Sequence, residues 1–268
     1  MADTYTMGVD IGSAASKCII LKNGTQIVGK AVIPSGTGTS GPSRAIRAAL
    51  ESASLSKEQI SYLTATGYGR NTLEGADLRI SELSCHAAGT HALFPDARTV
   101  IDIGGQDVKI LSLNEDGTLD SFVMNDKCAA GTGRFLEAMA RVLETDVQSL
   151  ADLDSKALNV AKIASTCTVF AESEVISQLS NNVSIYDLAA GIHASVAART
   201  ASLVRRLGFR EPGVMTGGVA QNAGVRRALE KELGTVLLVS PMAQLNGAYG
   251  AALLAWKHFS KTGDGTSD

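Results

Sequence analysis

The 268-residue chain sets 24 Lys+Arg against 27 Asp+Glu, a formal charge of -3, so no basic excess argues for nucleic-acid binding. Hydrophobic residues make up 45% and charged residues 19%, enough apolar mass for a core and too little charge for a disordered chain. Glycine is abundant at 27 residues and aromatics are scarce at 4%, which favours tight turns and close backbone approach over an aromatic-lined pocket.

The first elements read as strands: Tyr5 to Ile11, Lys17 to Lys22 and Gln26 to Ile33, with Asn23-Gly24 as a hairpin signal between the second and third. A helix is predicted from Pro42 to Ala53, where proline suits the first turn; a strand over Ile60 to Thr66 and a helix over Ser81 to Leu93 follow. After Pro95 the pattern restarts. Thr99 to Ile103, Val108 to Leu113 and Thr118 to Met124 read as strands, with Asp116-Gly117 at the hairpin turn. Helices are expected at Gly131 to Leu143, Val169 to Ser180 and Ile185 to Leu207. The chain closes with a strand at Gly213 to Thr216, a helix at Asn222 to Leu233, a strand at Val236 to Val239 and a helix at Gly247 to Phe259, then a polar tail.

Two features exclude a membrane reading. The N-terminus lacks the basic and apolar regions of a signal peptide, and the uncharged stretch Leu233 to Trp256 has Ser240, Pro241, Gln244 and Asn246 in its middle. The expectation is a soluble, cytoplasmic protein with reduced thiols and neither nucleic-acid nor membrane partners.

The two halves overlay. Val9-Asp10-Ile11-Gly12 matches Ile101-Asp102-Ile103-Gly104, 92 residues on, and Lys17 matches Lys109 at the same offset. Such a period is too long for a solenoid, so one α/β fold occurs twice. Each Asp-Ile-Gly puts a carboxylate at a strand end, followed by small residues whose N–H groups can meet phosphate oxygens; the carboxylate can hold Mg²⁺ through water. A third element, Met215-Thr216-Gly217-Gly218-Val219-Ala220-Gln221, ends a strand with glycines that permit close packing against a ring or ribose. Two other glycine patterns are decoys. Gly24 to Ala31 lacks the magnesium-binding hydroxyl of a phosphate loop, and Gly36 to Gly41 follows a hairpin strand instead of opening a βαβ unit. These residues together resemble the superfamily of actin, heat-shock chaperones and sugar kinases. That resemblance implies two duplicated actin-like (ribonuclease H-like) ATPase domains, 1–95 with 247–268 and 96–246, with a nucleotide cleft between them.

The four cysteines contain no C-x-x-C, so one chain does not spell out a zinc or iron-sulfur site. Cys18 and Cys85 have apolar or helical surroundings and read as core. Cys128 and Cys167 each precede a helix in small or hydroxyl-bearing sequence, with Ser165 and Thr166 as cap residues for the second. A helix N-terminus lowers a thiol pKa. Two inert cysteines remain one reading; the other is a pair of thiolates that a symmetric dimer doubles to four.

The motifs VDIGSAASKCIILKNG, ATGYGR, ISELSCHA, VIDIGGQDVK, NDKCAAGTGRFL, ASTCTVFAESEVISQL, AGIH and MTGGVAQN resemble the activators of 2-hydroxyacyl-CoA dehydratases. The resemblance implies a homodimer with one [4Fe-4S] cluster between subunits, held by Cys128 and Cys167 of each. It further implies an ATPase that accepts an electron from ferredoxin or flavodoxin and passes it to the dehydratase. Asp10, Asp102 and Gln106 would then serve hydrolysis, with Mg²⁺ at the two aspartates. Ser13, Ala14, Ala15, Ser16, Lys17, Gly104, Gly105 and Gln106 would meet the ATP or ADP phosphates, and Gly217, Gly218, Gln221 and Gln244 the adenosine. A small-molecule, sugar-type kinase and a structural or regulatory actin-like ATPase are the alternatives, and neither gives Cys128 and Cys167 a task.

Overall fold

The computed structural model describes residues 3–126, 128–164 and 167–263. They fall into two compact units, one within Met1–Ala97, Leu113–Leu119 and Leu245–Asp268, the other within Arg98–Ser112 and Asp120–Gln244.

In the first unit, β1 (Tyr5–Ile11), β2 (Ser16–Lys22), β3 (Gln26–Ile33), β4 (Ile60–Thr66) and the two-residue β5 (Leu78–Arg79) form a sheet of order β3-β2-β1-β4-β5. β1 runs antiparallel to β2 and parallel to β4, and this mixed pattern needs both a hairpin and a crossover. Asn23 and Gly24 both take positive φ (51° and 71°), as the hairpin signal required. The loop is three residues long, not two: Lys22 pairs with Gln26, and a register shift between Ile20 and Leu21 absorbs the odd residue. Helix α1 (Gly41–Ala53) carries Pro42 in its first turn, and α2 (Glu82–Leu93) starts from Ser81, whose hydroxyl accepts from Leu83 N.

The second unit repeats the plan. Strands β6 (Thr99–Ile103), β7 (Val108–Leu113), β8 (Leu119–Asn125), β9 (Gly213–Thr216) and β10 (Leu237–Val239) make a sheet of order β10-β9-β6-β7-β8, which is the first sheet's order read from the other edge. Its helices are α3 (Gly133–Val142), α4 (Leu150–Asp154), α5 (Thr168–Ser180), α6 (Ile185–Leu207) and α7 (Ala223–Leu233). α3 begins two residues later than the sequence suggests, because Gly131 has φ 88° and Thr132 is extended. The short α4 had no periodic signal; Asp146 opens it by accepting from Ser149 N.

The uncharged stretch predicted to be strand, turn and alanine-rich helix is β10, a 3-10 turn at Ala243–Leu245 and helix α8 (Asn246–Gly263). Among the described residues no helix is long and apolar enough to cross a membrane. α8 returns to the first unit, burying Ala248, Ala251, Ala252 and Ala255 completely. It lies so close to β1 that a Cβ at Gly8 would run into its backbone. The predicted cap residues Ser165 and Thr166, and the end of the polar tail from residue 264, lie outside the described residues.

Candidate functional site

The internal repeat is a repeat of structure down to single atoms. In the first unit Asp10 sits opposite Lys17 on β2 and beside Thr66 on β4; in the second, Asp102 sits opposite Lys109 on β7 and beside Thr216 on β9. The turn that follows closes identically, Gly12 N donating to Ala15 O at 3.0 Å and Gly104 N to Asp107 O at 2.9 Å. The neighbouring strand ends in Thr-Gly each time, and Gly67 and Gly217 share φ values of 84° and 85°. A Cβ on either glycine would collide with the aspartate side chain and with the carbonyl of Ile11 or Ile103, so only glycine fits both the conformation and the space. Thr66, Gly67 and Asp107 were not singled out from the sequence. The legible signal was Ala65-Thr66-Gly67 set against Met215-Thr216-Gly217.

The two copies differ in their electrostatics. Lys17 Nζ lies 3.0 Å from Asp10 Oδ2 and 3.2 Å from where a Gly12 Cβ would stand, so its charge hangs over the first turn. Lys109 is instead buried between two carboxylates, 2.6 Å from Asp107 Oδ2 and 3.4 Å from Asp102 Oδ2. Asp102 also accepts from Thr216 Oγ1 at 3.1 Å. Asp10 and Asp102 are both buried, while Gln106 is exposed at its turn. Ser13, Ala14 and Ala15 form the half-buried first turn, and Gly104 and Gly105 the corresponding part of the second. Ser16, expected to face a phosphate, is buried, and its hydroxyl donates to Ser35 O at 2.8 Å; as the first residue of β2 it turns inward and braces the turn. Thr37 N donates to Gly12 O at 2.9 Å, so the Gly36–Gly41 decoy is a packing loop ahead of α1.

Among the residues expected near adenosine, Gly217, Gly218 and Gln244 come together. Gly217 N donates to Ala243 O at 3.0 Å, and Gln244 Nε2 stands 3.6 Å from a Cβ built on Gly218. Gln221 is exposed at the end of a 3-10 turn, Gly218–Gln221. These residues, the Asp102 turn and both predicted cluster cysteines belong to the second unit; the Asp10 turn belongs to the first.

The four thiols divide cleanly. Cys18 and Cys85 are buried, Cys128 and Cys167 exposed. Burial pushes the Cys85 thiol up to about 12 and the Cys18 thiol up as well, so neither offers a thiolate near neutral pH. Cys167 is the N-cap residue of α5, and its side chain makes no capping bond. The segment Lys162–Ala164 is held by α5 itself, Glu174 accepting from Ala164 N at 2.9 Å and Gln178 donating to Lys162 O at 2.8 Å. Cys128 lines a cavity of about 220 Å³ with Asn125, Gly131, Arg199 and Thr200. Burial pushes the Arg199 guanidinium below its ordinary pKa, and the charges of Cys128 and Cys167 both oppose that, so both sulfurs act on one cation. The same guanidinium lies 5.8 Å from the Phe135 ring centre. Among the described residues no three or more His, Cys, Asp or Glu side chains gather into a metal site. What one chain presents is a pair of exposed thiols, the donor type that iron-sulfur clusters take.

The family model for the BadF/BadG/BcrA/BcrD ATPase family matches residues 7–255. The chain is 58% identical over 258 residues to the (R)-2-hydroxyglutaryl-CoA dehydratase activating ATPase of Acidaminococcus fermentans, covering 96% of this chain and 99% of that one. It superposes on a solved structure of the activator of the 2-hydroxyisocaproyl-CoA dehydratase from Clostridium difficile with bound ADPNP at a TM-score of 0.96, with 52% identity and 99% of both chains covered. A ROK family glucokinase from Streptomyces griseus matches at a TM-score of 0.59 and 14% identity over 94% of this chain and 99% of that one, a likeness of fold alone. With its paired five-stranded sheets, twin Asp–Lys turns and a family match along nearly its whole length, the chain belongs to the BadF/BadG/BcrA/BcrD ATPase family and has the actin-like ATPase fold.

Proposed function

We propose that this protein is the ATP-dependent one-electron donor that reductively activates a 2-hydroxyacyl-CoA dehydratase in the cytoplasm. Two copies hold one [4Fe-4S] cluster through Cys128 and Cys167 of each, and each copy takes ATP with Mg²⁺ at its Asp10 and Asp102 turns. The observation that carries the reading is the division of the thiols, two buried and two exposed, in a chain 58% identical to a dehydratase activating ATPase. The ADPNP bound by the 52% identical activator supports a nucleotide at the two turns. Val169 and Phe170, large apolar residues left 66% and 69% exposed beside Cys167, support a second copy covering that end of α5.

When bound, the cluster supplies one-electron transfer from reduced ferredoxin or flavodoxin to the dehydratase, and ATP hydrolysis to ADP and phosphate supplies the drive. The chain's own residues bind and orient. The Lys17 amine, positioned over the first turn, would offset phosphate charge, and Asp10 and Asp102 would hold Mg²⁺ through water. Arg199 offsets the charge of the thiolates, and the N-terminus of α5 adds its dipole at Cys167. A small-molecule kinase has only the shared fold in its favour.

Anaerobically purified protein is expected to be brown and to carry about four irons per dimer. Cys128→Ala or Cys167→Ala removes the iron, whereas Cys18→Ala and Cys85→Ala leave it in place. Colourless, iron-free protein from strictly anaerobic work that phosphorylates a sugar overturns the reading.

A further inference from the structure

Thr132 occupies the N-cap position of α3, where a threonine hydroxyl ordinarily accepts a bond from an N–H of the first turn. Here it makes no such bond. Its side chain points backwards, with Oγ1 3.0 Å from Gly105 O and 2.6 Å from Ala129 O, so its one proton lies between two carbonyls. Thr132 is fully buried, so its hydroxyl has no water to turn to and depends on these two carbonyls. Gly105 belongs to the second phosphate turn, and Ala129 directly follows Cys128. The backbone tightens the same junction: Gly133 N donates to Gly104 O and Arg134 N to Gly105 O, both at 2.9 Å, and Thr132 N to Ala129 O at 3.0 Å. The first N–H groups of α3 therefore hold the turn, and the residue before them holds the cysteine segment. Gly131, with φ 88°, is the point where the chain reverses between the two.

We infer that Thr132 is the positioning residue that couples the nucleotide turn at Gly104–Gln106 to the Cys128 segment, its hydroxyl passing a shift of one to the other. The inference rests on the reading of that turn as phosphate-binding and of Cys128 as a ligand. Coupling of this kind requires a physical link with two arrangements, and a proton shared between two carbonyls supplies one: it favours Gly105 O or Ala129 O according to where the turn stands. A phosphate drawing the turn towards itself shifts the proton to Ala129 O and thereby moves the segment that carries Cys128.

The test uses the full chain and ADPNP, and reads Cys128 in two ways: alkylation rate in iron-free protein, and rate of iron removal by a chelator in the anaerobic holoprotein. In the wild type ADPNP changes both rates about fivefold or more, within the usual range of coupling between sites. Thr132→Val keeps the shape and removes the proton, so the nucleotide effect collapses while the ADPNP Kd measured by calorimetry stays within about threefold, since α3's N–H groups still hold the turn. Thr132→Ser keeps the hydroxyl and keeps the effect. The inference is overturned if ADPNP binds the wild type without changing either rate, if Thr132→Val responds like the wild type, or if Thr132→Ser loses the response. Absence of ADPNP binding by the wild type would instead defeat the reading of the turn, and a wild type that holds no iron would defeat that of the cysteines.

Discussion

Lys17 and Lys109 occupy equivalent positions, and their surroundings predict opposite consequences of losing them. Lys109 is 5% exposed and bridges Asp102 and Asp107, so Lys109→Ala removes the buried ammonium that both carboxylates contact. That costs about 3 kcal/mol of stability, readable as a fall in urea midpoint at constant slope. Lys17 neutralises one carboxylate and reaches over the first turn, so Lys17→Ala costs less stability but raises the ADPNP Kd by about tenfold or more. Calorimetry and chemical unfolding on both variants separate the two roles. The sequence aligned the pair correctly at the same offset from each aspartate, and that alignment is as far as it reaches. That Asp107 captures Lys109 was not legible, because it depends on the backbone closing from Gly104 N to Asp107 O. Ser16 shows the opposite failure, because a hydroxyl in a motif looks alike whether it faces a ligand or braces a turn.

Between helices, the second unit is tied by one carboxylate. Asp154 ends α4, and its Oδ2 lies 3.2 Å from His193 Nδ1 on α6, off the line of an ideal hydrogen bond, and 2.9 Å from Arg227 on α7. The His193 contact, followed by Arg227, holds the Asp154 carboxyl below its ordinary value of 3.8. A carboxylate with a depressed pKa adds stability above the unfolded value and loses it as the pH falls through the folded one. Asp154→Asn is therefore expected to cost about 1 kcal/mol at pH 7, a modest figure because Arg227 is half exposed, and the gap from the wild type should close as the pH drops below 4. Urea unfolding in steps from pH 7 to pH 3.5 checks the sign; a gap that widens on acidification contradicts it. None of this was visible in the sequence. Element periodicity located α6 and α7 to within a residue, but α4 is five residues long, and a helix of that length has too few positions for a period to show.

At the scale of the whole molecule the duplication was the most legible property, because hairpin signals and strand ends recur in the same order in both sheets. The proposed site between two copies was legible only through the family resemblance, since a site shared by two chains would leave half its ligands in each. The exposed Val169 and Phe170 are where the proposed second copy would leave a physical trace. Phe170→Glu places a charge where the second subunit is proposed to sit, and is expected to turn the dimer into monomer in analytical ultracentrifugation and to remove the iron with it. A variant that stays dimeric with full iron contradicts this placement of the interface.

The return of α8 to the first sheet also sets a sequence of events on the ribosome. β1 and α2 are made early, yet the alanines that cover them arrive only with residues 246–263. The second unit, continuous from Asp120 to Gln244, is already complete by then. The unit begun first is thus finished after the second, and the nascent chain carries an uncovered apolar sheet until residues 246–263 are made, a window in which a chaperone has most to protect.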